Sequence, residues 1–219
     1  MNTPPSPGFK FSLTTESGDD MTAELKGFAE MIGIEQAAPG RYSLLLLLSL
    51  LGGAKSGRLN PHKVVQEILA LEGIGPPSQL KPPIQNKHPP LKGLWHKHHL
   101  MDGMSSLAMN IEKGLNRYKI PFFEQKIMEA QQAGEERFMS AADIPMLVND
   151  VVSGNYNRLA ENEALTGEWL VFAKHEEKNY YLALATHDSA THDALRQQIE
   201  AICYLEFSFL PEILNPDRG

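Results

Sequence analysis

A chain of 219 residues, 42% hydrophobic and 21% charged, carries enough apolar side chain for a globular core that needs neither disulfide nor metal to stay folded. Its single cysteine, Cys203, excludes a disulfide framework and a Cys-based zinc site within one chain, and fits a reducing, cytoplasmic setting. The net charge of −7 argues against a surface that coats nucleic acid, yet leaves room for one local basic site.

Residues 1–20 are rich in Pro, Ser, Thr and acid and lack the basic start and apolar stretch of a secretory signal, so a disordered tail is expected. Residues 21–75 read as three short helices. Leu25, Phe28, Ala29 and Ile32 recur at helical spacing up to the Pro39-Gly40 stop. Ser43 can cap a second helix through Leu51, ended by Gly52-Gly53; it is apolar nearly all round and belongs in a core or at a homodimer interface through residues 44–51. That run is interrupted by Ser49 and far shorter than the roughly 20 residues of a membrane span. Asn60-Pro61 opens a third helix with Val64, Val65, Ile68 and Leu69 as its stripe and Gly73 as its stop.

Residues 76–93 change character. Pro76-Pro77, Pro82-Pro83 and Pro89-Pro90 forbid helix locally and make an extended strap or linker. From Gly73 to Met101 there is no acid, whereas Lys81, Lys87, Lys92, Lys97, His88, His96, His98 and His99 all fall here. Helical spacing returns with Met104, Leu107, Ala108, Ile111 and Leu115, and Pro121 can open another helix. Ser140 and Asp143 are spaced as a capping box, with Met139 and Ile144 as its staple, ahead of an amphipathic run through Leu147, Val148, Val151 and Val152. After Gly167 the period becomes two. Residues 169–174 and 180–185 flank the polar turn 176–179 and predict a hairpin apolar on both faces, hence covered on both. Such a hairpin needs a further strand or helices against it, and Lys92 to His96 is the expected strand partner. A last helix is predicted over 191–205, with Cys203 in its apolar face. The class expected is α+β, mainly α, with residues 94–219 as an α+β region and 21–219 either one domain or a helical unit plus a domain.

The sharpest chemical feature is Leu94-Trp95-His96-Lys97-His98-His99. In an extended strand His96 and His98 share one face and Lys97 and His99 the other. Two imidazoles at that spacing can divide general acid and base work, and lysine can neutralise charge developing on phosphate. With His187 as a third group, Lys92 or Lys97 holding phosphate and Trp95, Tyr180 or Tyr181 stacking a base, the pattern points to a small hydrolase of ribonuclease or phosphodiesterase type with a local nucleic-acid or phosphate ligand. A divalent metal is the variant, completed by His88, His187, His192 or Asp102, although His-x-His-His-x-x-Asp departs from the familiar metallohydrolase order. The plain alternative gives these histidines a packing role and the strap lysines salt bridges to the acidic helices between Glu124 and Glu163. A second feature, Thr186-His187-Asp188 and Thr191-His192-Asp193, follows the hairpin: His187 can be a tuned base, while His192 and Asp193 suit a helix N-terminus. There is no phosphate loop, nucleophile elbow, His-Glu-x-x-His or dinucleotide turn. The other function class left open is a non-enzymatic protein-binding chain, with the homodimer as its form.

Overall fold

Helix α1 (Thr22–Ile32) buries Leu25, Phe28, Ala29 and Ile32, the stripe its spacing predicts. The computed structural model describes residues 9–136 and 138–215. Gly33, in the left-handed region at φ 73°, turns its N–H onto the carbonyls of Ala29 and Glu30 and closes α1, so the single helix expected up to residue 38 becomes α1 and a short α2 (Ile34–Ala37). Ser43 caps α3 (Leu44–Lys55), its Oγ accepting from the Leu46 N–H at 2.9 Å. The helix continues through Gly52 and Gly53 because Leu59 packs directly on Gly53, where a Cβ would come to 2.9 Å of the leucine Cβ. Leu46, Leu47 and Leu50 are fully buried, so this apolar helix fills a core of the chain itself. Asn60 caps α4 (Pro61–Leu71) by accepting from the His62 N–H, and Gly73 follows at φ 69°.

The Pro-rich strap is a hairpin. Strand β1 (Ile84–Gln85) pairs antiparallel with β2 (Trp95–His99), and Asn86 and Leu94 close the loop through an N–H···O bond of 2.8 Å. The Pro89-Pro90 peptide within it is cis. Contacts divide the chain into two units, one of residues up to 78, 82–102 and 167 onward, the other of 79–81 and 103–166. One boundary falls after β2, and residues 79–81 of the strap belong to the second unit.

The second unit holds α5 (Met104–Tyr118), α6 (Pro121–Ala133), α7 (Ile144–Asn149), a π-helical turn (Asp150–Gly154) and α8 (Asn155–Glu161). Gly114 of α5 lets α8 approach closely; a Cβ there would meet the Cβ of Asn155 at 2.7 Å. Asn110 is buried with its amide satisfied, Nδ2 donating to the Ser106 and Thr166 carbonyls and Oδ1 accepting from the Thr166 N–H. The capping box forms as spaced, with the Ser140 N–H donating to Asp143 at 2.8 Å. The run behind it departs from expectation. Ile144, Val148 and Val152 are exposed, and from Asp150 the π-helical turn inserts an extra residue that shifts the phase of the stripe behind it.

In the first unit β3 (Glu168–His175) and β4 (Lys178–Ala185) form the predicted hairpin, turning at Glu176 and Glu177 with φ 48° and 60°. β2 pairs antiparallel with β3, completing the sheet order β1-β2-β3-β4; the strand partner anticipated at 92–96 lies at 95–99. Both faces are covered. Leu170, Phe172 and Tyr181 face the core of α1 to α4, and Val171, Ala173 and Ala183 face that of the C-terminal helices. Phe11 is buried against Tyr42 in the first core, with Phe9 and Leu13 packed against it, so this part of the expected tail docks on the fold; residues 14–20 are exposed, and residues 1–8 lie outside those described. Asp188 caps a 3₁₀ turn (Ser189–Thr191) by accepting from the Ala190 N–H, and the turn leads into α9 (His192–Gln198), which continues through a π-helical turn (Ile199–Cys203) into α10 (Tyr204–Glu206). A short α11 (Leu210–Leu214), absent from the sequence reading, follows. Cys203 is buried, which pushes its thiol up to about 12 and leaves it a packing residue. The architecture is α+β and mainly helical, and no described helix is long and apolar enough to cross a membrane.

Candidate functional site

Antiparallel pairing of β2 on β3 sets His98 opposite Trp169 and His96 opposite Val171. Strand alternation then puts both imidazoles on one face, edge to face at 5.6 Å. Because β4 runs antiparallel to β3, its exit returns to where β3 begins. There the His187 N–H donates to Glu168 Oε2 at 2.9 Å, and His187 Nε2 donates to the Gly167 carbonyl at 2.7 Å. The His187 ring lies 5.3 Å from His98 and 5.2 Å from Trp169. His192, at the start of α9, donates from Nε2 to the Thr186 carbonyl at 2.9 Å and sits 5.2 Å from the same indole. His96 lies flat on that indole at 4.0 Å and donates from Nδ1 to Asn86 Oδ1 at 2.8 Å.

The three histidines singled out in the sequence thus meet around Trp169, together with His192, which the sequence reading assigned to a helix N-terminus. Carbonyl acceptors fix the tautomers of His187 and His192, leaving Nδ1 of each as the nitrogen that can take a proton. His98 is 2% exposed and His96 7%, whereas His187 is exposed, so His187 is the ring of the three that is open to solvent.

The other named residues go elsewhere. Lys97 is buried on the opposite face of β2, with Nζ 3.4 Å from Glu67 of α4, which also accepts from Ser78 at 2.6 Å. Its acidic partner is therefore not among the helices 124–163. Trp95, on that same face, packs near Phe172 and holds Lys174 Nζ 3.9 Å over its ring. Tyr181 is fully buried and donates to Glu72 at 2.6 Å, while Tyr180 packs against Phe207 and Phe209. Lys92 is exposed on a cleft of about 600 Å³ whose lining includes Lys87, Asn86 and Arg196. None of these five joins the His98–His187 pair, although Asn86 ties the Lys92 cleft to His96. Among the described residues no group of three or more His, Cys, Asp or Glu side chains is arranged to hold a metal ion.

No protein-family model, curated protein or solved structure matches this chain.

The site is thus read from its own geometry, which has a second part beside the cluster. A cleft of about 580 Å³ opens between α3, the end of β4 and α9, and Glu168, Thr186 and Thr191 line it. His99 forms part of its wall and Arg58 is exposed on it. His99 is 1% exposed and neither ring nitrogen has a partner in hydrogen-bonding geometry. Burial pushes its pKa down to about 4; the nearby Leu100 backbone opposes that shift and the Lys63 charge adds to it. His99 is therefore a neutral imidazole near pH 7. The sequence placed His99 opposite Lys97's neighbours by alternation but gave no sign that a cleft would reach it. Glu168, Arg58 and Trp169 carried no local signal, because only strand pairing and the packing of α3 bring them here.

Proposed function

We propose that this chain is a metal-independent acid–base hydrolase of the phosphodiesterase or ribonuclease type, with His187 and His98 as its proton-transferring pair. One observation carries the reading: two imidazoles from distant segments come to 5.3 Å of each other, and Glu168, which accepts from the His187 N–H, also lines an open cleft with an arginine on it. A phosphodiester whose own 2′-hydroxyl attacks needs no nucleophilic side chain, only a base to take that proton and an acid for the leaving oxygen. His187, the exposed ring, meets the substrate; His98 lies behind it, and His96 and Trp169 hold the pair in place. The charge-holding role expected of Lys92 or Lys97 passes to Arg58, whose planar fork suits phosphate. The test is cleavage of RNA and of cyclic phosphodiesters by the purified chain in the presence of a chelator. Turnover that falls in His187→Asn supports the reading, and no cleavage of either substrate, with or without added Mg²⁺, Mn²⁺ or Zn²⁺, overturns it.

A non-enzymatic binding role is the second reading, and one observation favours it. Ile144, Met146, Val148 and Val152 are exposed together along one helical segment of the second unit, an unusual density of large apolar side chains for a solvated helix. A homodimer formed through 44–51 has less to work with, since Leu46, Leu47 and Leu50 are buried within the chain. Sedimentation at micromolar concentration separates these cases: a monomer that Ile144→Ser leaves unchanged removes the self-association variant.

A further inference from the structure

We infer that the cleft walled by α3, the end of β4 and α9 is a mononucleotide pocket, with the base set towards His99 and the phosphate on Arg58. The inference rests on the hydrolase reading and names its substrate-binding subsite. Its starting point is the orphaned imidazole. Native interiors leave few buried polar atoms unpaired, and neither nitrogen of His99 has a partner in full hydrogen-bonding geometry, only the Leu100 backbone beside the ring, while its side chain lines an open cleft. A neutral imidazole offers one donor and one acceptor, the complement of the alternating ring nitrogens and carbonyl or amino groups on a nucleobase edge.

The remaining wall agrees with such a ligand. Leu59, Met101 and Leu184 supply apolar surface for a flat ring, and the volume of about 580 Å³ lies in the range of small-ligand sites. Met101 is unbranched and only partly buried, so its side chain can shift to open the buried edge of His99. The Thr186 and Thr191 hydroxyls lie 3.2 Å apart on the wall, within reach of a sugar's hydroxyl groups. Arg58 has its Nε on Ser56 at 3.2 Å, and its two terminal nitrogens remain for a phosphate. Glu168 links the cleft to the histidine site: it lies across the strands from His99 and lines the cleft, while its Oε2 accepts from the His187 N–H.

Calorimetric titration of the full chain with nucleoside 3′-monophosphates, nucleosides and inorganic phosphate tests this. Saturable mononucleotide binding with Kd below about 1 mM, at least about tenfold tighter than phosphate or nucleoside alone, is the expected result. Arg58→Ala, at an exposed position, is expected to weaken it about tenfold by removing charge-assisted hydrogen bonds. Gly52→Leu supplies an independent variant. A Cβ at Gly52 meets nothing within 4 Å, the residue lies inside α3, and the added side chain occupies the cleft without disturbing the fold. Absence of saturable binding overturns the pocket, as does phosphate binding as tightly as the nucleotide, or parental affinity in both variants. A chain that binds mononucleotides but cleaves nothing keeps the pocket and sinks the hydrolase. One that cleaves RNA with KM unchanged in both variants does the reverse.

Discussion

The imidazole of His96 lies flat against the indole of Trp169, 4.0 Å between centroids and 16° between planes. His187 and His192 approach the same indole at 5.2 Å each, so one side chain from the start of β3 seats three rings from three segments. Trp169→Ala is expected to cost about 3 kcal/mol of unfolding free energy, read from urea denaturation, because the contacts of all three rings are lost at once. Trp169→Phe keeps an aromatic face and is expected to recover more than half of that loss.

His187 is exposed and His187→Asn keeps the backbone N–H that donates to Glu168, so the unfolding midpoint should shift far less than in Trp169→Ala. Turnover of a cyclic phosphodiester should fall by about 10²- to 10⁴-fold, the ordinary contribution of a positioned acid or base. A variant with parental turnover would show that His187 takes no part in chemistry.

Stability should decline on mild acidification because of His99. Its folded pKa, pushed down to about 4, lies below the unfolded value near 6.5, so the unfolded chain binds the proton more readily. The contribution of the neutral ring is fully present above about pH 6.5 and is lost progressively as pH falls towards 4, a change of roughly 3 kcal/mol. Urea midpoints between those pH values should fall in the parent chain and fall distinctly less in His99→Phe.

Lys97 and Glu67 form an ion pair whose side chains are 3% and 12% exposed. Removing one partner leaves a buried charge, so Lys97→Met alone should destabilise by about 3 to 5 kcal/mol. Lys97→Met with Glu67→Gln should recover most of it, since glutamine can still accept from Ser78. The double-mutant cycle measures the coupling, and additive losses would mean that the two charges do not stabilise each other.

Much of this arrangement was legible in the linear chain. The apolar stripe of α1, the Ser43 and Asn60 caps, the Ser140–Asp143 box and the 169–185 hairpin are local patterns, fixed by periodicity and by side chains that bond their own backbone. The π-helical turns were not legible, nor was the run of α3 through two glycines, because each depends on what packs against the helix rather than on its own residues.

For the site, alternation alone established that His96 and His98 share one face of a strand, since the period of two is a property of the extended backbone. That His187 and His192 would complete that face, that Lys97 would be drawn under α4, and that His99 would reach a cleft beside Arg58 was decided by strand register and helix packing. These bring into contact residues 30 positions apart, as Lys97 and Glu67, and 89 apart, as His98 and His187, and no local rule of the chain encodes which distant segments meet.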